Sequence, residues 1–239
     1  MLWCGGGGVG FAASFAGVNS YLGSPNNTDF SNDGEDILIA AWVYRTAGGA
    51  GNQGIVAKLN NAVQADYGLL YDKAPTARYR WTVWDGVTAT GVSANTFGAP
   101  GLNAWHFVVA YYDKAGNEIG ISVNGGAFDT AAIAFTPSAS TAIFKIGAGA
   151  AATELWAGRI DQVAFARPAD ASNVAVAFRD SLYSGGSGKR FASITGAEIA
   201  SWTLTEFFEL EEASGNRAGA YGGYTLQSVN SVTRGVGIV

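Results

Sequence analysis

The sequence is poor in residue types on which several common kinds of protein depend. Its 239 residues include one cysteine, Cys4, and one histidine, His106. A single cysteine excludes an internal disulfide and any cysteine-cluster metal site. A single histidine excludes a histidine-rich metal site and leaves no second candidate for a histidine base.

Charged residues are also scarce, at 14% of the sequence against roughly 25% in an ordinary domain. The formal net charge is −5, which argues against nucleic acid, because a phosphate backbone requires clustered Lys and Arg. No apolar run approaches the ~20 residues of a transmembrane helix. The N-terminus also lacks the features of a classical signal peptide. We therefore expect no nucleic-acid partner and no membrane insertion, and we expect any site outside the cell to be reached without such a signal.

Short β-branched and aromatic runs, bounded by turn residues, recur along the chain. The predicted strands are 37–44, 54–59, 67–71, 78–84, 88–92, 105–112, 118–123, 143–146 and 156–165. Such spacing without intervening helices indicates an all-β sandwich or barrel. Apolar residues at helical spacing predict one short helix over 173–183, and 197–201 is a candidate for a second.

Three groups of segments carry a resemblance to a known family. They read FAGVNSYL and IAAWVY near the start, WHFVV and ISVNG in the middle, and AGRIDQVAF followed by LYSGG near residue 186. In this order they resemble laminin-G-like domains of the concanavalin A-like lectin/glucanase superfamily, over about residues 11–188. The resemblance implies a two-sheet antiparallel jelly roll that binds glycans or proteins and is frequently noncatalytic.

The C-terminal part of the chain departs from the family pattern. Residues 200–204 and 210–216 resemble the segment that normally opens such a domain. In this sequence that segment comes last, as if the opening strand had moved to the C-terminus. We expect 1–10 to be a flexible Gly-rich segment, 11–188 the sandwich, and 189–239 an extension that supplies strands in cis or to a neighbouring subunit. The residues predicted for assembly are Trp202, Leu204, Leu210, Val232 and Val236.

The candidates for ligand binding centre on aromatic side chains, since a sugar ring stacks its C–H face on an exposed aromatic ring. They are Tyr71, Trp84 and Asp85, and Trp84 is the preferred exposed aromatic because it lies next to a turn. By alternation, Trp84 shares one strand face with Arg80 and Thr82. Periodicity alone does not decide which face looks outward.

Acidic residues raise the questions of calcium and of catalysis. Asp33, Glu35 and Asp36 lie in one loop, and the resemblance places Asp161 in a family-typical strand. Because laminin-G-like relatives often bind calcium through oxygen ligands, calcium stays open as a cofactor, without assigned ligands, and no other cofactor is expected. Glycoside hydrolysis needs two carboxylates placed across a cleft, and the acids of 206–212 lack the alternating arrangement of the superfamily's glucanases. No catalytic residue is assigned, and the chain is not expected to be an enzyme.

Two functions therefore compete. The preferred one is a noncatalytic structural or adhesive module, such as a capsid decoration, fibre or surface-layer subunit, that forms a homo-oligomer or assembles with other virion or surface proteins. It rests on the low charge, the missing signal and the displaced strand, and it implies a location on a virion or extracellular surface. The alternative is a carbohydrate-binding, lectin-like module with a glycan partner, which rests on the habits of the fold and on the aromatic strands. A glycoside hydrolase without recognisable acids is the remote third.

Overall fold

The computed structural model describes residues 10–47, 51–73, 75–150 and 154–238. The expected flexible segment 1–10, apart from Gly10, lies outside these described residues, and so does Cys4. In the described part of the chain the strands form two antiparallel sheets. No helix in these ranges has the length and apolarity needed to cross a membrane.

Each strand is short, as expected of a chain with frequent turn residues. In chain order the strands are β1 (Phe11–Ala16), β2 (Tyr21–Gly23), β3 (Ile37–Arg45), β4 (Gln53–Leu59), β5 (Ala65–Asp72), β6 (Arg78–Trp84), β7 (Ala89–Ser93), β8 (Trp105–Asp113), β9 (Glu118–Val123), β10 (Asp129–Ala132), β11 (Phe144–Ile146), β12 (Ala157–Ala166), β13 (Leu204–Phe208), β14 (Arg217–Ala218), β15 (Thr225–Val229) and β16 (Thr233–Val236). The helices are α1 (Ala171–Tyr183) and α2 (Gly196–Trp202), and there are 3-10 turns at Thr28–Phe30, Ser184–Gly186 and Phe191–Ser193.

The strands divide between two sheets that enclose one main core. Sheet A has the order β10-β9-β8-β3-β12-β1-β16. Strand β1 pairs with the N-terminal half of β12, and β13 pairs with the C-terminal half on the same side. Sheet B has the order β14-β15-β2-β11-β4-β5-β6-β7. This arrangement confirms the all-β, two-sheet sandwich with two short helices in the C-terminal third.

Strand β3 shows why some strands lack a clean alternation of apolar and polar residues. Ile37 and Ile39 face the core between the sheets. Leu38 and Trp42 lie on the opposite face, where they pack in a second cluster with Phe178 of α1. Because a large apolar side chain contributes ~1.5–3 kcal/mol on burial, helix α1 stabilises the outer face of sheet A rather than leaving it to solvent.

The C-terminal extension pairs in cis, within the same chain. Strand β13 pairs with β12, β15 with β2, and β16 with β1, so the extension contributes to both sheets. The two ends of the described chain lie side by side, since the N–H of Gly237 donates to the carbonyl of Gly10 at 2.8 Å. That the strand order arose by moving an opening strand stays a prediction.

The residues predicted for assembly belong mostly to this cis arrangement. Leu210 and Val232 are buried in the core between the sheets, and Trp202 and Leu204 are buried in the cluster on the outer face of sheet A. Val236 is 54% exposed on β16. For the four buried side chains to contact a neighbouring copy, the whole segment would have to leave its present place. Assembly through them stays a prediction.

Candidate functional site

A groove crosses the outer face of sheet B, over strands β4 to β7. Its volume is about 260 Å³. Polar, charged and aromatic side chains line it, among them Asn52, Asp72, Arg80, Thr82, Trp84 and Glu154. This combination of groups makes it the strongest candidate for a binding site.

Strand alternation explains which side chains reach this groove. On β6, Tyr79 and Trp81 are fully buried in the core between the sheets. Successive side chains point to opposite faces of a strand, so Arg80, Thr82 and Trp84 face outward. The structure thereby settles the question that periodicity left open, in favour of the Trp84 face.

Thr82, which lines the groove, has glycines as its neighbours on both adjacent strands. The register of β5, β6 and β7 places Gly68, Thr82 and Gly91 side by side across the sheet. A Cβ atom on Gly91 would lie 2.5 Å from Nε of Arg80, so glycine leaves the room that the guanidinium occupies. The result is a shallow trough with Arg80 on one side and Trp84 on the other.

The two sides of the trough carry different chemistry. The Trp84 ring is half-buried and packs against an apolar cluster that includes Leu59 and Ala65, which fixes its position. The Arg80 side chain is 40% exposed, and its Nη1 lies 3.1 Å from Oδ2 of Asp72. An aromatic face can stack on an apolar ring surface. The guanidinium can donate to hydroxyl groups, and the carboxylate beside it can accept from them.

The rim consists of side chains that also shape the surrounding loops. Oδ1 of Asn52 accepts the N–H of Lys73 at 3.0 Å, and Oε2 of Glu154 accepts the N–H of Ala150 at 2.7 Å. Both carboxylates that line the groove, Asp72 and Glu154, therefore already have donors within the protein. Sequence reasoning assigned no role to either of them.

Two of the three predicted ligand-binding residues lie away from the groove. Tyr71 is a correction: the residue is 8% exposed and its side chain packs in the core, with the guanidinium carbon of Arg45 at 3.8 Å from the ring centroid. Asp85 lies in the hairpin turn, where its carboxylate accepts N–H groups of Thr88 at 2.6 Å and Val87 at 2.8 Å. These hydrogen bonds lower the pKa of Asp85, and the one from Thr88 has the largest effect. Asp85 thus shapes the turn after Trp84. Of the three predicted ligand-binding residues, Trp84 alone lines the groove.

The described residues contain one cluster of carboxylates. Oxygens of Asp36, Asp113 and Asp170 lie within 4.8 Å of one another. Asp36 accepts the N–H of Lys114 at 2.9 Å and that of Ala171 at 2.6 Å, and Asp170 caps helix α1. Calcium requires about six to eight oxygen ligands, whereas these carboxylates are directed at backbone donors. The cluster therefore fits a role in fixing loops and the start of α1 better than a role in binding calcium.

The other acids considered for calcium are engaged as well. Asp33 forms an ion pair with Arg167, and Glu35 forms one with Lys114 at 2.6 Å. Asp161 is buried, and its carboxylate accepts two backbone N–H groups. The structure thus brings none of these three together at a shared site.

Comparison with known proteins identifies one matching family and several solved structures of similar fold. The family model described as the concanavalin A-like lectin/glucanases superfamily matches residues 16–175. No curated protein matches the sequence. A Bacteroides ovatus protein, provisionally described as carbohydrate-binding, is similar in structure, with a TM-score of 0.67 and 16% identity. The match covers 95% of this chain but 60% of that one, so the present chain spans less than two thirds of its length.

Two smaller structures of similar fold contain bound sugars. One is domain 4 of an extracellular arabinanase from Geobacillus stearothermophilus in complex with arabinotriose, with a TM-score of 0.52, 12% identity, and coverage of 73% of this chain and 82% of that one. The other is the CBM40 of a Ruminococcus gnavus sialidase bound to α2,3-sialyllactose, with a TM-score of 0.50, 13% identity, and coverage of 68% and 95%. At these identities the likeness shows the fold alone.

Proposed function

The chain belongs to the concanavalin A-like lectin/glucanase superfamily, and from this starting point we propose that it is a noncatalytic carbohydrate-binding module. Its ligand occupies the groove of sheet B. The observation that carries the proposal is that the half-exposed Trp84 and the Arg80–Asp72 pair line one groove, with Thr82 between Arg80 and Trp84 along β6. A sugar ring offers an apolar face to the indole, and its hydroxyls match the guanidinium and the carboxylate. Glycan complexes of similar fold support the proposal as analogy.

Binding is preferred over hydrolysis because of how the carboxylates of the groove are held. A glycosidase needs one carboxyl group as an acid and a second as a base or nucleophile. Here Asp72 is paired with Arg80, and Glu154 accepts a backbone N–H. The arrangement is suited to fixing the groove and to hydrogen bonding with hydroxyls.

The structural or adhesive role expected from the sequence has weaker support than glycan binding. One of its three supports is the displaced C-terminal strand, and that segment is already paired within its own chain. Assembly into a homo-oligomer, partnership with virion proteins and location on a virion or extracellular surface all stay predictions.

The experiment that tests glycan binding uses a glycan array followed by calorimetric titration of the retained glycan. Trp84→Ala should lower the affinity by about tenfold or more, equivalent to ~1.4 kcal/mol or more, because an aromatic anchor contributes on this scale. The matched control is Trp105→Ala, since Trp105 is a half-buried tryptophan on the outer face of sheet A. It should leave the affinity within twofold of the unmodified chain.

Three outcomes would contradict the proposal. One is a chain that retains no glycan from the array. Another is an equal loss of affinity in the Trp84→Ala and Trp105→Ala variants, which would mean that the groove is not the site. The third is the appearance of new reducing ends when a retained glycan is incubated with the protein, which would show hydrolysis.

A further inference from the structure

A second groove lies beside the first on the outer face of sheet B. Its volume is about 380 Å³, and Ala150 lines both grooves. Tyr21, Ile143 and Leu155 give it apolar walls, and Lys145 contributes to its lining. The two grooves are therefore adjacent parts of one surface.

Lys145 reaches this groove because of its place in a short strand. On β11, Phe144 and Ile146 face the core, so Lys145 between them is directed to the outer face. The residue is 4% exposed, and its Nζ donates to the carbonyl of Leu59 at 2.6 Å and to that of Gly149 at 3.1 Å. An ammonium group has three donors, so these two bonds leave one donor for another acceptor.

The charge of Lys145 is not neutralised in the way that the protein neutralises a comparable lysine. Lys58, the other buried lysine of the described chain, lies 3.3 Å from a carboxylate oxygen of Asp66. Among the described residues, no Asp or Glu oxygen lies within 4 Å of Nζ of Lys145. Burial lowers the pKa of Lys145, and the more distant Glu154 opposes that shift. A buried charge normally has an opposite partner.

We propose that the groove of Tyr21 and Lys145 is a second sugar subsite that accepts a carboxylate-bearing sugar residue. The carboxylate accepts the remaining donor of Lys145, and the apolar ring face packs against Tyr21 and Ile143. Asn60 and Asn230 also line the groove. The Nδ2 group of Asn230 donates to the carbonyl of Asn19 at 2.8 Å, and that of Asn60 donates to Oε1 of Gln64 at 3.4 Å, so their side-chain oxygens are the groups that would accept from ring hydroxyls. This inference rests on the proposed function, because it assigns an acidic residue to a glycan that also contacts the Trp84 groove.

The test compares sugars that differ only in the carboxylate. Methyl β-D-glucuronide is titrated against methyl β-D-glucoside, and methyl α-D-galacturonide against methyl α-D-galactoside, with methyl-group NMR shifts of Ile143 and Leu155 as the readout. At least one uronide should bind about tenfold more tightly than its neutral partner, because a hydrogen bond to a charged group contributes on that scale. Lys145→Met, which retains the aliphatic stem, should reduce the preference to less than twofold.

Two further variants separate the interpretations. Lys114→Met removes the same charge at an exposed site outside both grooves, and it should leave the preference unchanged. Lys145→Arg retains the charge and should keep the preference for a uronide over its neutral partner. If Lys145→Met fails to fold, this variant still tests the role of the charge. Trp84→Ala should leave the uronide preference intact.

The failure of this inference can be told apart from the failure of the proposed function. If neutral glycans bind at the Trp84 groove and no uronide is preferred, the inference is wrong and the proposed function stands. If uronides are preferred equally in the unmodified chain and in Lys145→Met, Lys145 serves only to hold the carbonyls of Leu59 and Gly149. If no glycan or uronide binds at all, both are wrong.

Discussion

Replacing Glu206 with glutamine should weaken the attachment of the C-terminal segment to the sandwich. Glu206 lies on β13, is fully buried, and accepts backbone N–H groups of Phe207 at 2.7 Å, Tyr221 at 3.0 Å and Tyr224 at 2.9 Å. One carboxylate thus holds the loop before β15 against β13. In glutamine, an NH₂ group that cannot accept replaces the oxygen that serves Tyr224.

The magnitude follows from two opposing terms. A hydrogen bond to a charged group contributes ~1.5–3 kcal/mol, and Glu206→Gln removes one such bond and weakens two others. Burial raises the pKa of Glu206 in spite of its N–H donors, so removing the charge also relieves part of its desolvation cost. The lost hydrogen bonding should prevail, with a net loss of about 2 kcal/mol in the free energy of unfolding at neutral pH.

Urea unfolding at neutral pH measures this loss, and hydrogen exchange locates it. The amides of Tyr221 and Tyr224 should exchange faster in Glu206→Gln, whereas those of the central strand β3 should show a smaller change. The control is Glu35→Gln, because Glu35 forms an exposed ion pair with Lys114, and such pairs contribute ~0–1 kcal/mol. Equal stability of the two variants, with unchanged exchange at the two tyrosines, would refute the reasoning.

Three further predictions concern other buried positions. Lys58→Met leaves the carboxylate of Asp66, at 3.3 Å from Nζ, without its cation, so it should lower the free energy of unfolding by ~3–5 kcal/mol. The double variant Lys58→Met with Asp66→Leu should recover most of that loss in urea unfolding. A fully stable Lys58→Met variant would contradict the expectation. Burial raises the pKa of Asp161 well above its ordinary value of 3.8. The contribution of the protonated side chain to stability is therefore fully present below pH 3.8, and it is lost as the pH rises through the raised pKa. Asp161→Asn should therefore flatten the dependence of Tm on pH above pH 3.8, and an unchanged slope would argue against a raised pKa. Gly158→Ala should lower the free energy of unfolding by more than ~2 kcal/mol, because φ is +143° and a Cβ atom would lie 2.0 Å from a carbonyl oxygen of β3. The control in thermal unfolding is Gly98→Ala, at φ +88° with nothing within 4 Å of the added Cβ atom, and it should be less destabilising.

Strands with strong local signals could be predicted from the sequence, because nearby residues determine them. Strand β6 ends before Asp85-Gly86, and Asp85 closes that turn with its own carboxylate. Helix α1 has its apolar residues at helical spacing and an aspartate cap at Asp170. In these places short-range chemistry and the final fold agree.

The pairing of distant segments could not be predicted in the same way. Strand β2 has three residues, which is too few for a pattern, and it exists because β11 and β15 pair with it on either side. Strand β16 pairs with β1 across almost the whole length of the chain. Such pairings depend on packing among elements that local propensity does not describe.

The sequence pointed to only some of the residues that line the candidate groove, because strand alternation does not show which face of a strand is covered by the second sheet. Alternation placed Arg80 on the same face as Trp84, and this signal could have added Arg80 to the site. It could not decide that Tyr71 faces the core, because that depends on where the second sheet lies. Lys145 gave a weaker signal, as the single charged residue between the apolar Phe144 and Ile146.

A crystal structure of the chain with a glycan retained from the array is the most direct test of glycan recognition on sheet B. We expect a sugar ring stacked on Trp84, with at least one hydroxyl within hydrogen-bond distance of Arg80 or Asp72. A glycan bound instead on the outer face of sheet A, against Tyr44 and Trp105, would contradict the assignment.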